Sequence, residues 1–269
     1  MSHTVAVVGA GKMGETLLSG LLRAGWPPGR LIATARRPDR AAELAQRYGI
    51  EVPDNAEAVA NADVVVLAVK PQDMAALLAE LGAQVPADKL VMSIAAGIPT
   101  AFIERHLAPE TPVVRVMTNT PALVDEAMSA ISAGAHAGSE HLDLAEDLLR
   151  PLGKTIRVPE SQQDAVTALS GSGPAYFYYL VEAMTDAGIL LGLPRTVAHD
   201  LIVQSAIGAA VMLRDSGEHP VKLREAVTSP AGTTISAIRA LEDHKVRAAF
   251  LSALEAARDR ARELAAGLD

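Results

Sequence analysis

The chain has 269 residues, 49% of them hydrophobic and 21% charged, enough for one large domain or two ordinary ones with a sizeable core. Aromatics make up only 3%, so that core is built from Ala, Val, Leu and Ile, a palette suited to close-packed helices and parallel strands. A net charge of −8 argues against a nucleic-acid backbone or an anionic membrane as partner, and the lack of cysteine excludes disulfides and thiolate chemistry.

The start, MSHTVAVVGAG, has neither a basic leader nor a long apolar stretch, and no run is expected to reach the length of a membrane span. A cytoplasmic protein is the expectation.

Taken in chain order, TVAVVGAGKMGETLLSGLLRAG is a β-branched run, a glycine turn and then apolar residues at helical spacing. RLIATARR reads as a strand and DRAAELAQRYG as a helix closed by Gly49. ADVVVLAVKP is a continuous apolar run, the mark of a strand buried on both faces. KLVMSIAAG and PVVRVMTNTP repeat that form, with helix-like PTAFIERHLA between them. MSAISAGA, SEHLDLAEDLLRPLG and KTIRVP complete the region. Strands alternating with helices predict an α/β domain with a doubly wound, mostly parallel sheet.

The pattern changes near Pro159. From Ser161 onward no strand is expected, and PAYFYYLVEAMTDAGILLG, PRTVAHDLIVQSAIGAAVMLRDSG, HPVKLREAV and RAAFLSALEAARDRAREL each read as helix. Pro174, Pro194 and Pro220 stand at helix starts, where a missing N–H costs little. The helical part carries more apolar surface than a bundle of its size hides alone, which predicts a homodimer through these helices.

GAGKMG places Gly9, Gly11 and Gly14 in the G-x-G-x-x-G spacing, with Ala10, Lys12 and Met13 between them. The three glycines serve a tight turn, close backbone approach to a pyrophosphate, and close packing of helix on strand, while the helix start offers N–H groups to the phosphates. The pattern is weak alone, but here it follows a strand and opens a helix. At the end of the second strand a carboxylate would select NADH. This chain has Thr34, Arg36 and Arg37 there instead, and arginine suits a 2′-phosphate, so NADPH is expected, with NADH the weaker alternative.

Loops at the carboxyl ends of strands line the cofactor crevice of such sheets. Ala68, Val69, Lys70 and Pro71, then Ala95 and Ala96, then Asn119 with Thr118, are therefore candidate cofactor contacts. Ordinary turn chemistry or a strand-terminal surface lysine would leave the same residues. The seven histidines are scattered without an H-x-x-x-H pair, so no metal is expected, and His136 and His141 read as surface residues. The helical part offers no lysine before Lys222 to act as the base an alcohol dehydrogenase needs. Reduction of a C=N bond asks for less, chiefly orientation.

VTSPAGTTISAIRALE, Val227 to Glu242, sets Thr228, Ser229, Thr233 and Thr234 around Pro230 and Gly232 at a helix start. Such a segment is either an N-capping turn or an anion site made of amide groups at the positive end of a helix dipole.

GAGKMG, AVKP, MTNTP, LSGSGPAY and above all LREAVTSPAGTTISAIRALE together resemble the pyrroline-5-carboxylate reductase family, across residues 4 to 267. Related hydroxyacid and phosphogluconate dehydrogenases share the glycine loop but lack the last motif. The resemblance implies an NADP-binding Rossmann domain over 1–159 and an all-helical substrate-binding and dimerisation domain over 160–269. It implies NADPH-dependent reduction of 1-pyrroline-5-carboxylate to L-proline in a cleft between the two, completed by the partner's helices, and dimers assembled into a decamer. Ser229, Gly232, Thr233 and Thr234 are implied to bind the substrate carboxylate, with the catalytic Thr234 hydrogen-bonded to the ring nitrogen. Glu160 is implied to lie near the imino acid, Asn55 near the adenosine, and SGSGPAY, with helices approaching around Gly171 and Gly173, beneath the nicotinamide. Some members carry asparagine where this chain has Ala226, so a side-chain contact there is lost, and Arg36 with Arg37 exceeds the single serine or threonine of others. Another imine or β-hydroxyacid reductase, or a non-catalytic dinucleotide sensor, remains the alternative.

Overall fold

Seven strands make one sheet in the computed structural model, which describes residues 3–266. They are β1 (Val5–Val8), β2 (Leu31–Ala33), β3 (Val64–Leu67), β4 (Leu90–Ser93), β5 (Val113–Met117), β6 (Ala127–Ala133) and β7 (Gly153–Arg157), in the order β2-β1-β3-β4-β5-β6-β7. Every pairing is parallel except β5 with β6. Between the strands lie α1 (Lys12–Arg23), α2 (Pro38–Tyr48), α3 (Asn55–Asn61), α4 (Met74–Leu81), α5 (Thr100–Glu104) and α6 (Ser139–Leu149).

The apolar runs are strands because both their faces are covered. Val5 and Val7, with Val64, Val66, Leu90 and Met92, pack with Leu17, Leu18 and Leu21 of α1 and Leu148 and Leu149 of α6. Their neighbours Ala6, Val8, Val65, Leu67 and Val91 enter a second core with Val59 of α3, Met74 and Leu78 of α4 and Phe102 of α5. Successive side chains of a strand point to opposite faces, so a strand without a polar face needs helices on both. Each predicted strand is present, though RLIATARR contributes only Leu31–Ala33. Two helices of the sheet region, α3 and α4, were not expected from the sequence. α3 opens with Asp54, whose carboxylate accepts the Glu57 N–H at 2.9 Å, an N-cap three residues ahead of a glutamate that the sequence does display. PTAFIERHLA shrinks to the five residues of α5.

Past β7 come α7 (Gln163–Val166) and a π-helical turn over Thr167–Gly171, then α8 (Gly173–Leu190), α9 (Arg195–Asp215), α10 (Pro220–Ala226), α11 (Thr233–Asp243) and α12 (Val246–Ala266). Among the described residues no strand follows Ser161. Composition changes at Pro159, but packing changes after Ser172: the first unit runs to that residue and includes the end of α12 from Ala257, while the second is Gly173–Ala256. Residues 160–172 stay with the sheet because their side chains bond to it. The Gln163 amide donates to Ser132 Oγ at 2.8 Å and to the Ala130 carbonyl at 3.3 Å.

In the second unit α8 and α9 meet at Gly188, where a Cβ would come within 2.7 Å of Ala198. Little else there is buried. Phe177, Tyr179, Leu190 and Leu191 are each more than 60% exposed, an apolar surface of the kind that marks an interaction site. The expectation that no run reaches membrane-span length is corrected by α9, whose 21 residues include a window of mean hydropathy 1.5. Length and apolarity suit a docking helix as well as a membrane one, which is why composition alone misjudged it.

Candidate active site

The glycine loop is the tightest piece of the first unit. Gly9 has φ +82°, a left-handed conformation that side chains avoid, and a Cβ on it would lie 2.4 Å from Val69 Cγ1. A Cβ at Gly14 would lie 2.9 Å from Val7 Cγ1 and 3.1 Å from Ala68 Cβ, so α1 lies directly on the sheet. Gly11 is the N-cap of α1 and brings no side chain to its open amides. That leaves a helix start with free N–H groups and no Cβ in the way, the arrangement a dinucleotide pyrophosphate requires. The residues present fit such a cofactor.

Sheet register brings the neighbouring loops together. Val8 of β1 pairs Leu67 of β3, and Leu67 pairs Ser93 of β4, so Gly9–Gly14, Ala68–Pro71 and Ala95–Gly97 leave the sheet side by side at its carboxyl edge. β1 leads to β2 on one flank and β3 lies on the other, making this the switch point where such sheets bind ligands. Ala95 is buried, while Ala96, Lys12 and Lys70 are exposed.

Several expected cofactor residues turn out to hold the loops themselves. The Thr34 hydroxyl is buried and accepts the Gly9 N–H at 3.0 Å, while the Thr34 carbonyl accepts the Ala10 N–H at 2.8 Å. Asn119 accepts the Met128 N–H at 3.1 Å and donates to the Ser170 carbonyl at 3.2 Å, which ties the end of β5 to β6 and to the π-helical turn. The Asn55 amide donates to Glu80 at 3.1 Å. Arg36 and Arg37 differ, with side chains 85% and 75% exposed.

Glu160 is not an exposed linker carboxylate: its side chain is 28% exposed and is bonded to two other elements. Its Oε1 accepts the Thr100 N–H at 2.7 Å and an Arg115 Nη1 hydrogen at 3.2 Å, and its Oε2 accepts the Thr100 hydroxyl. It therefore caps α5 and partners a guanidinium whose side chain is 5% exposed. Arg115, on β5, went unnoticed in the sequence because a lone arginine in an apolar strand carries no motif; its inward turn is a tertiary fact. A Cβ at Gly171 would lie 2.2 Å from the terminal methyl of Met117, a flexible group that can turn aside, while a Cβ at Gly173 would meet nothing within 4 Å.

In the second unit the hydroxyl-rich stretch forms a turn closed by the Gly232 N–H on the Ser229 carbonyl at 3.1 Å. Pro230 supplies its first corner, and Ala231, at φ +56°, the second, where glycine is the usual residue. Gly232 then caps α11 without a side-chain hydrogen bond. The first amide hydrogen-bonded within the helix is that of Ser236, to the Gly232 carbonyl, so the amides of Thr233, Thr234 and Ile235 point out of the helix mouth. Thr228 does not join them, since its hydroxyl donates to the Arg224 carbonyl at 2.6 Å. Thr234 is half-buried and Ser229 exposed.

A doubly wound sheet with an uncapped, glycine-lined helix start at its switch point and two exposed arginines after β2 defines the frame of a dinucleotide-dependent oxidoreductase. Residues 4–97 match the family model described as NADP oxidoreductase coenzyme F420-dependent, and residues 160–264 match that for pyrroline-5-carboxylate reductase dimerisation. The chain is 45% identical over 265 residues to a pyrroline-5-carboxylate reductase of Corynebacterium melassecola, covering 97% of this chain and 98% of that one. A pyrroline-5-carboxylate reductase structure from Coxiella burnetii superposes with a TM-score of 0.91 at 36% identity, over 98% of this chain and 99% of the other. The pyrroline carboxylate reductase of Plasmodium falciparum, solved with NADP bound, gives 0.88 at 26% identity over 98% of both chains. This chain belongs to the pyrroline-5-carboxylate reductase family. Its exposed apolar helices, α9 among them, lie within the matched dimerisation region and form its homo-oligomeric surface.

Proposed function

We propose that the chain reduces the C=N bond of 1-pyrroline-5-carboxylate to give L-proline, using NADPH. The observation that carries this reading is the uncapped mouth of α11, with Gly232 and the outward amides of Thr233 and Thr234. A substrate that pairs a carboxylate with a ring imine suits it, because the amides and the positive helix end hold the anion. Ser229 adds a hydroxyl donor, and the Thr234 hydroxyl orients the ring nitrogen and assists its protonation. Gly9 to Gly14, Ala68 to Pro71, Ala95 and Ala96 hold the dinucleotide, and Arg36 with Arg37 takes its 2′-phosphate. When bound, NADPH supplies the hydride that the imine carbon accepts. Glu160 and Asn119, whose polar atoms are already engaged, act by holding α5 and the 160–172 segment in place.

The test is NADPH consumption with pyrroline-5-carboxylate, its six-membered homologue and open-chain hydroxyacids, for the wild type and for Thr234→Ala. Turnover with the five-membered imine, reduced at least about 100-fold in the folded variant, is the expected result. Oxidation of NADPH by none of these compounds would favour a sensor, and unaltered turnover in the variant would remove Thr234 from the reaction. Assembly of dimers into a decamer, and a cytoplasmic location, belong to the same proposal; light scattering on the purified chain reads the former.

A further inference from the structure

At the adenosine end of the cofactor crevice stands an acid that the nucleotide-binding motif does not contain. Asp73 Oδ2 lies 3.3 Å from Arg36 Nη2. Arg36 follows β2, Asp73 follows β3, and β1 runs between those strands. Neighbouring strands are about 4.8 Å apart, so the pair bridges the carboxyl end of β1 beside the glycine loop. Asp73 precedes α4, yet its side chain caps none of that helix's amides. Its side chain is only 33% exposed, and its backbone N–H is fixed to the Lys70 carbonyl at 2.9 Å. The carboxylate thus has no local backbone task and little freedom to turn away. Among the described residues Arg37 has no comparable partner from another strand: its contact is Asp39, two residues on in the first turn of α2 and 72% exposed.

We propose that Asp73 is a specificity-determining residue that restrains the preference for NADPH over NADH. The inference rests on the reading that Arg36 grips the 2′-phosphate. That phosphate and the Asp73 carboxylate compete for the same guanidinium, and the two anions repel each other across it. With NADH the competition vanishes, and a carboxylate within reach of the ribose is an acceptor for a 2′-hydroxyl. In this chain the acid that ordinarily stands at the end of β2 is supplied instead from the loop after β3. The pair is open to solvent, so its influence is modest and weakened by salt.

The experiment measures the Kd of NADPH and of NADH by calorimetric titration without substrate, and kcat/KM for both cofactors, at low and high ionic strength in the wild type, Asp73→Asn, Arg36→Ala and the double variant. Asparagine keeps the shape and is itself a favoured residue at a helix start. Asp73→Asn is expected to raise the NADPH-to-NADH preference about three- to tenfold at low ionic strength, through a lower KM for NADPH. The gain should shrink in high salt, and the part of it that comes from competition for the guanidinium should be lost when Arg36 is already alanine. If Arg36→Ala lowers the preference while Asp73→Asn leaves it unchanged or lowers it, the role of Asp73 is overturned and the phosphate reading of Arg36 stands. If Arg36→Ala leaves the preference unchanged, the phosphate reading fails and the inference falls with it.

Discussion

The hydroxyl of Thr34 accepts the N–H of Gly9 at 3.0 Å across 25 residues of sequence, so the end of β2 fixes the first turn of the nucleotide loop. Thr34→Val keeps the shape and leaves that amide without its partner, at a cost of about 1–3 kcal/mol. A raised KM for NADPH together with a lowered Tm is the expected outcome, and Thr34→Ser should restore both. If the valine variant bound NADPH as well as the wild type, the loop would hold its form without this bond.

Glu160 is a half-buried partner to the buried Arg115. Glu160→Ala would leave Arg115 with Asp164 at 3.9 Å as its remaining ion-pair partner and remove the cap of α5. Taking one partner from a fully buried pair costs about 3 kcal/mol, and less where, as here, the carboxylate is part-exposed, so a clear fall in Tm is expected. A variant equally stable but slow only in turnover would return Glu160 to the substrate.

The turn that presents α11 is strained at Ala231. A left-handed alanine costs about 1 kcal/mol or more, against about 0.5–1 kcal/mol of chain entropy for glycine. Ala231→Gly should therefore leave Tm level or slightly raised, whereas Ala231→Val, with a branched Cβ at positive φ, should lower both Tm and kcat. Equal behaviour of the two variants would show that the turn relaxes freely.

Glu15 joins α1 to α2. Burial pushes its carboxyl up, but hydrogen bonds from Tyr48 and Arg40 and the charges of Arg40 and Arg47 outweigh this and hold it below the ordinary value of 4.5. A depressed carboxyl contributes stability above its unfolded value and loses it as the pH falls through the folded one. Glu15→Gln should thus be less stable than the wild type by about 1 kcal/mol at neutral pH. Thermal denaturation of both proteins should show the gap narrowing in acid, below the ordinary value of 4.5; a constant gap would assign the loss to packing.

Much of the architecture was legible before any coordinates. The apolar runs that became β1, β3, β4 and β5 announce burial on both faces, Gly9 and Gly14 announce steric need, and the proline and hydroxyl pattern before Ile235 announces a helix mouth. These readings succeed because periodicity, glycine placement and capping act over a few neighbouring residues. The same locality explains why α3, with Asp54 as its N-cap, was open to detection and α9 was misjudged, since apolarity alone does not say what will cover a helix.

Which polar group meets which was settled only by the tertiary structure. Glu160 reaches Thr100 across 60 residues, Arg36 reaches Asp73 across 37 and Asn119 reaches Ser170 across 51. Each of these side chains could have faced a ligand, and a sequence gives its type but not its direction. Direction comes from where remote strands and helices come to lie, so the sequence by itself determined the frame of this reductase and the chemistry at its helix mouth. The packed chain decided which hydroxyls, amides and carboxylates remain free for that chemistry and which are consumed in holding it together.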